Sequence, residues 1–411
     1  MEKTRRYLLT ALWVVLAMIV AACSGDDALG GDPVATGTDS LWVSLRVTAP
    51  AQPALVMRAS NDHGTVEEFA VKDAILVLFK NSTDEEATAE VWRAYKITEG
   101  FKDDGLNSIT QSTHVVQSLS VDDDLLTSDI LYALVLLNGQ GQFTVDSDQK
   151  LKVGGADWTG KTLSDFQSLP LTSIGNTTNG FFMSNAPVKD LSSSDITTLV
   201  KVTNVFVKEH QAKSSDGTTV MVERAAAKIT LDPDIHLTTG ITVNGNTANK
   251  LKVHSVEWAV AKRNQTSRAV RPAPSDPTLV DSENAINNQQ RTMWTAPYDA
   301  DYTSTRTGWM KPGDVCYVGE RTASVADDAT CIVLKVTFKD ASNVIVNYNL
   351  YGTEGGANVT TTIGGTEYTN GVMYYTYPIT HVANTHYGVV RDNIYRLKLS
   401  ELTKIGKNTE P

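Results

Sequence analysis

Eight residues, Gly155-Ala-Asp-Trp-Thr-Gly160-Lys161-Thr162, match the G-x₄-G-K-T spacing in which backbone amides cradle phosphates and a lysine meets the outer ones. That chemistry needs a buried parallel strand before the loop and βαβ alternation around it. The preceding Gln149-Lys-Leu-Lys-Val153 is not such a strand, and Asp157 puts a negative charge into the phosphate nest. The segment reads as a strand-to-helix loop. Seven histidines (63, 114, 210, 236, 254, 381, 386) show no H-E-x-x-H and no paired metal spacing. His381 and His386 are close, as residues flanking a turn are. Asp122, Asp123 and Asp124 have no further ligands at set spacings and read as a solvated turn. No G-x-S-x-G is present for acyl transfer. No enzyme, metal or cofactor chemistry is therefore expected.

Other residues can be chemically modified. Lys3, Arg5 and Arg6 precede an apolar run, Tyr7–Ala22, which ends in Val20-Ala21-Ala22-Cys23. This is the layout of an exported chain with a small-residue cleavage site. It also fits a lipobox, in which the Cys23 thiol accepts a diacylglycerol and cleavage frees its amine. A second acyl chain would make the anchor stable. The plainer alternative is an ordinary signal peptide with an incidental cysteine. Residues 23–39 are small and acidic and read as a flexible tether. Arg58 lies in Thr48–Thr65, rich in proline and small residues, where an exposed loop and a trypsin-like cut are expected. Cys316 and Cys331 lie on two apolar runs. A disulfide there would close a short loop worth about 3 kcal/mol; the alternative is two buried free thiols.

The elements that must position these residues are mostly strands. Apolar or alternating runs occur at 73–80, 90–97, 130–137, 204–209, 221–231, 251–261, 330–338, 344–351 and 372–379, with a closing strand around Tyr395. Ser, Thr, Asn and Gly fill the intervals, and Asn244-Gly245 is a hairpin signal. The best helical pattern is 161–169. Such strand spacing argues for β-sandwiches, with the polar stretch 213–218 as the seam between two. Residues 262–330 carry little periodicity. In the early strand 40–47, Leu41, Val43, Leu45 and Val47 alternate with Trp42, Ser44 and Arg46, giving one apolar face. Without residues 1–22, 33 basic side chains face 46 acidic ones, a formal charge of −13. Nucleic acid is not an expected partner.

Four stretches together resemble the fimbrillins of Bacteroidales type V pili, closest to the minor-fimbria (Mfa-type) fimbrillin family. They are the lipobox with early strand and "MRAS" around Arg58; "VERAAAKIT" (222–230); "VEWAVAKRNQ" (256–265); and "YYTYPI…HYGVVRDNIYRLKLSELTKIG". The resemblance implies an all-β chain of two tandem transthyretin-like Greek-key β-sandwiches with few short helices. The expected organisation is signal peptide 1–22, tether 23–39, N-terminal domain 40–215 and C-terminal domain 216–411. It implies an outer-membrane lipoprotein precursor lipidated at Cys23 and cut after Arg58. The first strand then leaves, and another pilin subunit fills the vacated groove by donor-strand exchange. Leu41, Val43, Leu45 and Val47 are the groove-filling side chains. Only KNTEP follows Gly406, which suggests a subunit that accepts a strand without offering one, suited to a tip or accessory place. The alternative is a monomeric surface lipoprotein adhesin for a glycan, host protein or bacterial surface receptor, with Trp258, Trp294 and Trp309 as candidate sugar contacts.

Overall fold

The early strand forms where its alternation predicts it, as β1 (Ser40–Ala49). It belongs to a computed structural model that describes residues 40–49, 66–98, 100–103, 111–120, 125, 128–232, 238–239, 242–243, 246–250, 252–273, 278–280, 289–292, 294–295, 302–339, 360–363, 365–382, 385–399 and 401–411. Cys23, Arg58, the Asp122–Asp124 run and the apolar run 344–351 lie outside the described residues.

The first half contains α1 (Val66–Phe69), β2 (Ala74–Asn81), β3 (Glu90–Lys96), β4 (Gln111–Ser120), β5 (Ile130–Leu137), α2 (Leu163–Ser168), β6 (Met183–Asn185), β7 (Val205–Phe206), α3 (Glu209–Ser214) and β8 (Thr218–Arg224). Hydrogen bonding runs β3-β2-β5-β6-β8-β1-β4 and ends on Lys102–Asp103, with β7 also on β1. The path doubles back on itself. Leu76, Leu78, Ala133 and Val135 from one limb share a core with Val43, Leu45, Val47, Val115 and Leu119 from the other. The other side of β2 and β5 (Val77, Phe79, Leu134, Leu136) packs on Phe143, Leu151, Leu163 and Phe166. Burial on both faces explains why these two strands read as continuous apolar runs rather than alternating ones.

The second half contains β9 (Ala226–Leu231), β10 (Lys252–Ala261), β11 (Val315–Gly319), β12 (Cys331–Lys339), β13 (Val372–Pro378) and β14 (Ile394–Leu397). A five-stranded sheet that runs Tyr302–Thr303, Arg263–Asn264, β11, β9, β14 faces the three-stranded sheet β10-β12-β13. Ile229, Trp258, Val318, Leu334, Val336, Met373 and Tyr395 fill the space between them. The all-β expectation holds: the described residues are mostly strands, and the helices among them are short.

Two details bear on the sequence reading. The stretch 213–218, where the seam and the 215/216 division are expected, leads into β8, which pairs within the first sheet, whereas β9 pairs within the five-stranded sheet of the second half. The chain crosses at Ala225, whose amide donates to Phe182 O, whereas the Lys228 amide donates to Asn393 O. The polar stretch marks the end of α3 and the turn at Gly217, an exposed connection rather than a change of layer. The run 204–209 is likewise divided between β7 and the start of α3.

Candidate functional site: the slot held by the first strand

β1 is an interior strand. One edge pairs antiparallel with β4 along its whole length, from Ser40↔Ser120 to Ala49↔Gln111. The other edge is shared: Leu45–Thr48 run parallel to Thr218–Met221, and Trp42 and Val43 pair antiparallel with Phe206 and Val205. The Ser44 amide donates to Asn204 O at 3.2 Å. Val43, Leu45 and Val47 are fully buried, and Leu41 packs half-buried against the same core. Burying each such side chain stabilises by about 1.5–3 kcal/mol. Without β1, β4 and β8 would be left with open ladder edges above an apolar trough.

The opposite face of β1 is not uniform. Arg46 is exposed, but Ser44 is fully buried. Its hydroxyl lies 2.7 Å from His114 Nε2, and α3 packs across β1, β4 and β7. Behind α3, Gly217 has φ +74°; a Cβ there would stand 2.9 Å from Leu45 C and 3.0 Å from Arg46 N. The turn into β8 can press this closely on the β1 backbone only because residue 217 has no side chain.

Downstream of β1, Glu68 on α1 is buried against the second sandwich. Its Oε1 accepts from Lys228 Nζ at 2.8 Å and from Tyr317 Oη. Asp392 accepts from Arg224 Nε at 2.7 Å and from Arg291 Nη1. Arg271 holds Glu223 bidentately at 2.9 and 2.8 Å, and Arg391 Nε donates to Glu320 Oε2 at 3.1 Å. Burial pushes the Glu320 carboxyl up, and the Arg391 and Arg271 guanidinium groups oppose that shift. Sequence reasoning missed this network. Its members are scattered from 68 to 392, and each looks like an ordinary surface charge.

The remaining candidates have structural partners. Asp157 accepts from the Thr159 amide and hydroxyl at 2.9 and 2.8 Å, contacts that hold its carboxyl well below the usual range. Lys150 and Lys152 lie 3.4 and 3.2 Å from it, and Lys161 Nζ meets Asp165 at 3.3 Å. The G-x₄-G-K-T segment is thus a pinned hairpin leading into the capped six-residue α2. His381 Nδ1 lies 2.8 Å from Tyr395 Oη, and Trp294 packs between His381 and His386. The two histidines flank a turn, Val382 being paired with His386. Among the described residues no group of three or more His, Cys, Asp or Glu is placed to hold a metal. Trp258 and Trp294 are core residues, which removes two of the three candidate sugar contacts. The disulfide weighed from the sequence is not formed. Cys316 and Cys331 are free and buried in separate apolar clusters, where Cys331 Sγ donates to Ala261 O at 3.8 Å.

Residues 366–411 match the family model described as major fimbrial subunit protein type IV, Fimbrillin, C-terminal. The matched residues include the closing motif whose sequence resembles the fimbrillins. A comparison with curated proteins returns no match. Among solved structures, a protein named for cell adhesion from Parabacteroides distasonis is 16% identical, covering 89% of this chain and 90% of that one, TM-score 0.45. A fimbrial assembly protein of the same organism is 13% identical, with coverages of 89% and 94% and a TM-score of 0.38. The tip fimbrial protein Mfa3 of Porphyromonas gingivalis, with a C-terminal truncation, is 10% identical, with coverages of 82% and 99% and a TM-score of 0.31.

Proposed function

We propose that this chain is a fimbrial subunit, exported as a lipoprotein through Cys23, cut after Arg58, and assembled when a strand of another subunit replaces β1. One observation carries the reading. The strand upstream of Arg58 is an interior strand whose apolar side chains lie in the core of the first sandwich. A cut in the Thr48–Thr65 connection would leave that strand held by noncovalent contacts alone. Its departure would expose a trough with two unpaired edges, which favours capture of another extended chain. The reading places the division between two domains at Ala225, supported by the change of sheet between β8 and β9.

The C-terminal residues support a receiving rather than a donating role. Lys407 and Tyr374 exchange backbone hydrogen bonds at 2.9 Å, Tyr368 Oη donates to Gly406 O, and Tyr375 Oη donates to Lys404 O. Residues 404–407 are therefore held on β13, which favours a tip or accessory place in the pilus. Limited trypsin digestion of the recombinant precursor, with mass analysis and sizing, tests the reading. The expected result is a dominant cut after Arg58 and release of the piece carrying β1 when a donor peptide is added. If other loops are nicked while the Arg58 bond survives, the processing step is wrong.

A further inference from the structure

The slot is more selective than its apolar floor suggests. Four alternating apolar residues make a repeating pattern, so sliding a strand by two positions still points apolar side chains at the core. Three of the four pockets remain filled, and a one-residue slip alone turns the wrong face inward. The apolar floor therefore specifies register weakly. On the other face Ser44 is fully buried in the middle of the strand, and Thr48 near its end is buried too. The neighbours of Ser44 on that face are the half-buried Trp42 and the exposed Arg46. α3 packs on β1, β4 and β7 with its Ala212 fully buried. His114 reaches the Ser44 hydroxyl at 2.7 Å, and Gly217 closes on the backbone of Leu45 and Arg46. A two-residue slip would bring a tryptophan or an arginine into the space that holds a serine.

We propose that the slot accepts only strands with a serine-, alanine- or glycine-sized residue between the second and third of four alternating apolar residues. Such a strand runs antiparallel to β4 and parallel to β8. The proposal rests on the strand-replacement reading above and specifies its partner: a segment of a second subunit with this size pattern, in one register. Ser44 and its cover act as the register gate.

The test uses the precursor cut at residue 58, by trypsin or by a site-specific protease whose recognition sequence replaces residues 55–60. The cut protein is challenged with labelled peptides of sequence SLWVSLRVTA and single variants, and displacement of the resident strand is followed. The parent peptide and its Ser44→Ala variant should seat equally well. The Ser44→Leu peptide should bind about tenfold more weakly or worse, as expected for an overpacked site. His114→Ala protein, shown folded by its melting curve, should recover part of that loss. If Ser44→Leu seats like the parent while a Leu45→Asp peptide fails, replacement stands and the gate is wrong. If no peptide displaces β1, or Leu45→Asp displaces it as well as the parent does, replacement itself fails, and the gate with it.

Discussion

Glu68 Oε1 and Lys228 Nζ form a buried ion pair at 2.8 Å across 160 residues of sequence. Glu68 follows the Arg58 segment, and Lys228 lies on β9 of the second sandwich. The first described residues after the Arg58 connection are thus fastened to the body independently of β1. A cut at Arg58 would separate the strand from a segment that stays in place.

Breaking that pair should be costly. Glu68→Gln leaves the buried Lys228 ammonium without its counter-charge, and loss of one partner of such a pair typically costs about 3–5 kcal/mol. Replacing both, as Glu68→Leu with Lys228→Met, should recover most of the loss. Urea melts of the two variants and the parent measure the difference. Equal stability of single variant and parent would show that the pair contributes nothing.

Core deletions in β1 should unfold the first sandwich before the second. Leu45→Ala removes a fully buried side chain and should cost about 2–5 kcal/mol. Arg46→Ala, on the exposed position next to it, should change little. Hydrogen exchange should show the loss concentrated in β4 and β8, the two strands that β1 bridges.

Gly217→Ala and Gly141→Ala separate backbone strain from crowding. Both glycines have positive φ, +74° and +81°, but only at Gly217 would the new methyl meet backbone, whereas Gly141 has open space around it. Each substitution carries strain of about 1–3 kcal/mol. Gly217→Ala should lose distinctly more, and its melting temperature should fall below that of Gly141→Ala.

The two thiols should be silent in the folded protein. Burial pushes Cys316 up from its usual 9.0 to about 11, and burial also raises Cys331. For an acid whose folded pKa is raised, the neutral form is favoured on folding. The associated stability is intact below pH 9 and falls away as pH rises towards 11. Alkylation with iodoacetamide at pH 8 should label neither cysteine until urea is added, and then both, without prior reduction. Labelling that requires a reductant would show a bridge.

Several strands were legible from the sequence, some by alternation, as in β1, and some, as in β2 and β5, as continuous apolar runs buried on both faces. β1, β2, β3, β5, β10, β12 and β13 all lie on runs visible in the sequence. The helix α2 was visible too, since Thr162 and Asp165 set up its cap beside Leu163 and Phe166. The change of sheet at Ala225 was not, because 221–231 is a single apolar-rich run and nothing local marks the residue at which it occurs.

Local pattern alone thus determined that 40–47 is a strand with Leu41, Val43, Leu45 and Val47 on one face. The residue types also determined where lipidation and cutting are to be sought, at Cys23 and Arg58. Only the tertiary structure decided that this strand lies between β4 and β8 rather than at an edge, and that Ser44 is buried while Arg46 is not. It likewise decided that Glu68 meets Lys228 and that the two cysteines lie apart. The physical reason is range. Alternation and turn chemistry act over a few residues, whereas strand order, burial of the second face and pairing of buried charges depend on contacts made across 70 to 170 positions.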